Sequence, residues 1–141
     1  MTKEIYPCFW FESQAKEAAT FYCGIFPNSK ILSESPIVVN FQLNGKHFMA
    51  LNDKRPPQNF NESVSFVITC EDQDEIDYYW NTLTAEGAEG MCGWCTDKFG
   101  VSWQVVPGIL EELMSDPARA GRVVQAFLKM KKFNIEKLKK A

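Results

Sequence analysis

The chain has 141 residues, 45% of them hydrophobic and 13% aromatic, which is enough apolar material for a compact domain and too much for a disordered one. Its 15 Lys and Arg against 18 Asp and Glu leave a net charge of −3, which gives no electrostatic basis for binding nucleic acid or an anionic membrane. The single histidine, His47, excludes any intrachain metal site that needs two and leaves one candidate imidazole base.

Ile5 to Phe11 reads as a buried strand. Ser13 is placed to cap a helix whose apolar face is Ala15, Ala18, Ala19, Tyr22 and Phe26, and Pro27-Asn28 stops it. Lys30 to Glu34 is a short strand. Val39, Phe41 and Leu43 then alternate with polar residues, the period of a half-buried strand. Asn44-Gly45 is the strongest hairpin signal in the chain, because a type I′ turn needs positive φ at both central residues. The return strand is His47 to Asn52, and Pro56-Pro57-Gln58-Asn59 is the natural linker. The second half opens with a strand from Val64 to Cys70. Asp72 and Glu75 form a capping box, with Glu75 reaching back to the cap amide. Ile76, Tyr79, Trp80 and Leu83 share a helical face that Gly87 ends. Strands follow at Gly93 to Phe99 and Val101 to Val106. A helix starts at Asp116-Pro117, and a short terminal helix starts at Asn134.

The halves repeat. Glu12-Ser13-Gln14 recurs as Glu71-Asp72-Gln73 at an offset of 59, and Gly45-Lys46-His47-Phe48 as Gly100-Val101-Ser102-Trp103 at an offset of 55. The predicted fold is α+β: two βαβββ modules, 1–55 and 60–107, that form a curved mixed sheet with a concave pocket, followed by a helical tail, 108–141. The five cysteines and the absence of a signal-like N-terminus predict reduced thiols in a cytoplasmic protein. No apolar run approaches the ~20 residues of a membrane helix.

These segments resemble the vicinal oxygen chelate superfamily, which includes glyoxalase I, extradiol dioxygenases and fosfomycin-resistance proteins. More specifically they are similar to its PhnB-like branch, labelled 3-demethylubiquinone-9 3-methyltransferase. The resemblance rests on Phe9-Trp10-Phe11, Phe26-Pro27-Asn28-Ser29-Lys30, Cys92-Gly93-Trp94, Asp97 to Gln104 and Met130-Lys131-Lys132. It implies the paired-module fold and a homodimer. Catalytic members of the superfamily hold a divalent metal through His or Glu on the first and last strand of each module. Carried over, those positions fall at Pro7 to Phe9, Met49, Ser63 to Ser65 and Gln104, which hold no carboxylate or imidazole. No metal and no cofactor is therefore expected.

Gln104 shares a strand face with Ser102, while Trp103 and Val105 point toward the covering helix. Met49 and Leu51 share the face of His47, which reads as a strand histidine near a turn, with a general base as the sharper alternative. Cys92-Gly93-Trp94-Cys95 is a C-x-x-C without the helix N-terminus that activates such a thiol, so a structural or pocket-lining role is expected. The predicted ligand contacts are Phe9, His47, Met49, Ser65, Cys92, Trp94, Ser102 and Gln104. The expected function is binding of a small organic ligand; the alternatives are a lyase or isomerase of the superfamily type, and a methyltransferase. No glycine-rich turn of the kind that holds a nucleotide-type methyl donor occurs in the sequence.

Overall fold

A computed structural model describes residues 3–55 and 59–141. The chain divides into two units, Met1–Gln58 and Asn59–Ala141. Of the predicted linker, Pro56, Pro57 and Gln58 lie outside the described residues.

The first unit runs β1 (Cys8–Phe11), α1 (Ala15–Ile25), β2 (Lys30–Glu34), β3 (Val38–Leu43) and β4 (Lys46–Asn52). Its four-stranded sheet has the order β1-β4-β3-β2, with β1 parallel to β4 and the other pairs antiparallel. Ala15, Ala18 and Ala19 are fully buried, so α1 lies close on the sheet, and Tyr22 reaches into a cluster of Phe9, Phe41 and Phe48. Neighbouring rings there sit 5.7–6.5 Å apart, the range in which aromatic pairs attract. The predicted cap at Ser13 is replaced. Gln14 is the N-cap and makes no side-chain cap bond; the first helical amide, that of Ala15, donates instead to Asn52 Oδ1 at 2.9 Å. A side chain from the far end of β4 thus does the work that a local hydroxyl was expected to do. The hairpin at Asn44-Gly45 forms as predicted, with φ of 51° and 78°.

The second unit repeats the order: β5 (Ser65–Cys70), α2 (Gln73–Thr84), β6 (Ala88–Glu89), β7 (Trp94–Thr96) and β8 (Ser102–Pro107), with strands arranged β5-β8-β7-β6. The two-residue β6 is too short to leave a periodic pattern in the sequence. Asp72 accepts from the Glu75 amide at 2.9 Å, as a capping box requires, but Glu75 Oε1 accepts from the Glu71 amide, one residue before the predicted partner. Three helices follow: α3 (Ile109–Met114), α4 (Ala120–Phe127) and α5 (Ile135–Lys140). The helix expected at Asp116-Pro117 starts later, because Asp116 first closes a turn through Ala118 and Arg119. Asn134 caps α5 by accepting from the Lys137 amide. Among the described residues no helix is long and apolar enough to cross a membrane.

The sheet registers support the repeat. Cys8 pairs with Met49 in the first unit and Val67 with Gln104 in the second. These are the offsets of 59 and 55 found in the sequence, so one rule relates both strand pairs.

Candidate functional site

Each sheet has one face under its helix and one face opposite. In the first unit Phe9, Phe11, Phe41, Phe48 and Ala50 face α1, and the opposite face carries Cys8 and Trp10 on β1, His47, Met49 and Leu51 on β4, and Asn40 and Gln42 on β3. Phe9, predicted as a ligand contact, is 5% exposed and packs on Tyr22, on the helix side. His47 lies on the opposite face as expected, and its ring is fully engaged. Nδ1 is 3.0 Å from Glu4 Oε2, Nε2 is 2.9 Å from Asn40 Oδ1, and Tyr6 stacks on it at 3.8 Å. Neither ring nitrogen is left facing open space, which is the geometry of a structural clasp rather than of a base awaiting a proton.

In the second unit the face opposite α2 is built in rows. Ser65, Ser102, Thr96 and Ala88 are register partners across β5, β8, β7 and β6, and Val67, Gln104 and Trp94 form the next row. A cavity of about 240 Å³ lies at this end of the sheet. Its lining is Ala88, Glu89 and Gly90, then Trp94, Cys95 and Thr96 of β7, Ser102 of β8, and Glu62 from the segment before β5. Ser102 is 1% exposed, and its hydroxyl has no hydrogen-bond partner among the described residues. A buried hydroxyl without a partner costs roughly 1–3 kcal/mol, so native proteins rarely keep one without cause. Gln104 Nε2 donates to Ser65 Oγ at 3.0 Å, which fixes the orientation of the amide. Glu89 Oε2 accepts from the Trp80 indole at 2.8 Å, so α2 orients this carboxylate.

Asp97 shapes the turn between β7 and β8. It is 3% exposed and accepts from the Phe99 and Val101 amides and from Trp103 Nε1 at 2.8, 3.2 and 2.8 Å. Cys92 sits at φ 58° in the turn before β7, where its amide donates to the Met130 carbonyl, and it is not among the residues lining the cavity. Cys95 faces the helix side beside Trp103. Burial first, then the charges of Asp97 and Glu89, push its thiol up to about 12, so the C-x-x-C holds no ready thiolate at its second position.

Two larger cavities, about 420 and 440 Å³, lie where the start of α2 meets the C-terminal segment. Their polar groups are largely satisfied: Gln73 bridges the Phe133 carbonyl and the Ile135 amide, and Lys132 pairs with Asp77.

The metal positions of the resembling superfamily can be tested directly. The sheet register moves the first-strand position of the second unit from Ser63–Ser65 to the neighbourhood of Val67, the partner of Gln104. The paired positions are then Cys8 with Met49 and Val67 with Gln104, which offer a thiol, a thioether and an amide. Among the described residues no group of three or more His, Cys, Asp or Glu side chains is placed to hold a metal ion. This donor set does not suit a hard or borderline divalent cation.

Thr96 was missed by sequence reasoning, although alternation from Trp94 would have found it. Glu62 and Glu89 carried no signal, since one precedes a strand and the other lies in a two-residue strand.

The chain is similar to known proteins. The family described as 3-demethylubiquinone-9 3-methyltransferase matches residues 3–106. A PhnB protein from Bacillus cereus is 31% identical, with 75% of this chain and 100% of that chain covered and a TM-score of 0.69. A glyoxalase-related enzyme from Fulvimarina pelagi matches at 12% identity over 78% of this chain and 91% of that one, with a TM-score of 0.57. The fosfomycin resistance protein FosX from Listeria monocytogenes, complexed with Mn(II) and sulfate, matches at 13% identity over 82% and 97%, with a TM-score of 0.59. The last two share the fold. No curated protein matches.

Proposed function

The chain belongs to the family described as 3-demethylubiquinone-9 3-methyltransferase, with a glyoxalase-like fold, and from that premise we propose that it binds a small organic molecule on the open face of its second sheet without a catalytic metal. The observation that carries this reading is Ser102, a residue on the lining of a cavity whose buried hydroxyl has no partner among the described residues. A ligand that takes up that hydroxyl would repay its desolvation. Trp94 supplies a flat apolar wall, and Thr96 and Gln104 supply further hydrogen-bonding groups. His47 is not assigned a role, since both its ring nitrogens are engaged.

Methyl transfer, the activity in the family's description, finds little support in this sheet. The segment after β1 is Glu12-Ser13-Gln14, not a glycine-rich turn, and the strands are not doubly wound. The reading includes a homodimer, as the resemblance implies, and a cytoplasmic location, as the free cysteines suggest.

A thermal-shift screen of small metabolites tests the proposal, with S-adenosylmethionine and divalent metal salts as separate arms. The expected result is a rise in Tm with one or more neutral metabolites that disappears in Ser102→Ala. A shift with S-adenosylmethionine, or stoichiometric metal in protein purified without added ions, would overturn it.

A further inference from the structure

The charge around the Ser102 cavity defines a ligand class. Two of its described lining residues, Glu62 and Glu89, are carboxylates, and none is Lys, Arg or His. Glu89, the register partner of Cys95, turns its carboxylate to the helix side, where it accepts from the Trp80 indole, so Glu62 is the lining carboxylate not tied to α2. Lys98 on the neighbouring turn faces Glu86 at 3.5 Å and does not line the cavity. The hydroxyls of Ser102 and Thr96 accept as well as donate, so the polar groups here are rich in acceptors.

We infer that this site selects ligands that carry N–H donors and no negative charge, and that it discriminates against carboxylates, phosphates and phosphonates. The inference rests on the binding reading above and adds the sign of the ligand. An anion placed here would meet the Glu62 carboxylate with no lining cation to balance it, whereas an amide or amidinium would donate to the acceptors present. The rim lies near solvent, so the discrimination weakens as salt screens it.

Three single-ring probes of nearly equal size separate the possibilities: benzamide, benzamidine and benzoate. Binding is read by nuclear magnetic resonance from the amide signals of Thr96 and Ser102 and the indole signal of Trp94. Benzamide and benzamidine are expected to shift these signals, with benzoate at least about fivefold weaker at low salt. Glu62→Gln, at an exposed position that tolerates the change, is expected to narrow that gap by strengthening benzoate and weakening benzamidine, with benzamide little changed. Benzoate binding as tightly as benzamide would overturn the charge selection and leave the binding site standing. Failure of all three probes to move these signals would overturn the site itself, and the charge selection with it.

Discussion

Among the described residues of the second unit, Asp97 and Ser102 are the buried polar ones, and they are held in opposite ways. Asp97 accepts from the Phe99 and Val101 amides of its own turn and from the Trp103 indole. Asp97→Asn keeps the shape but turns a donor toward those donors. It is expected to cost about 2–3 kcal/mol, measured by urea denaturation. Ser102 has no partner among the described residues, so Ser102→Ala should stabilise the unliganded protein by about 1 kcal/mol while removing the ligand-induced shift. A loss of stability in that variant would contradict the unpartnered hydroxyl. The thiols of Cys70 and Cys95 are both raised from 9.0 to about 12, by burial first; the charges of Glu75 and Asp72 add to it at Cys70, and those of Asp97 and Glu89 at Cys95. Above pH 9 the unfolded thiols ionise while the native ones stay protonated, so the unfolded state is favoured. The contribution of both thiols is therefore fully present below pH 9 and is lost as pH rises from about 9 to about 12. Denaturation midpoints at pH 8 and pH 10.5 should show this fall, and Cys95→Ala should flatten it.

The elements meet at a few backbone positions that decide their geometry. Gly93 precedes β7 with φ of 81°, its amide donates to the Lys131 carbonyl, and a Cβ there would lie 2.4 Å from Phe133 and 2.7 Å from the Val105 carbonyl. This glycine lets the C-terminal segment pack against the β7–β8 hairpin. Gly93→Ala combines a strained φ with an overlap and is expected to cost roughly 2–4 kcal/mol by chemical denaturation; a loss below 0.5 kcal/mol, the scatter of an ordinary surface change at about that size, would mean the contact is dispensable. Helix starts show where local reading succeeds and where it stops. The Asp72 cap of α2 and the Asn134 cap of α5 bond within three residues, so the sequence carries them. The first amide of α1 is bonded by Asn52, 37 residues away, and no local motif encodes that.

At the scale of the whole chain, one topology is used twice. Both sheets place the first strand parallel beside the last, and the registers Cys8–Met49 and Val67–Gln104 correspond at the sequence offsets. The homodimer remains a proposal, and light scattering checks it: the expected mass is twice that of the chain, and a mass equal to one chain would contradict it. The module order, the two main helices, the Asn44-Gly45 turn and the facing of His47, Met49, Ser102 and Gln104 were legible in the sequence, because period, caps and turn chemistry act over a few residues. Only the tertiary structure decided the rest. It put Phe9 under α1, engaged both nitrogens of His47 with Glu4 and Asn40, and gathered Glu62, Glu89, Thr96 and Ser102 around one cavity. Alternation gives a residue its face, but whether that face meets a helix, a carboxylate or an unfilled space depends on strand pairing between segments distant in the chain.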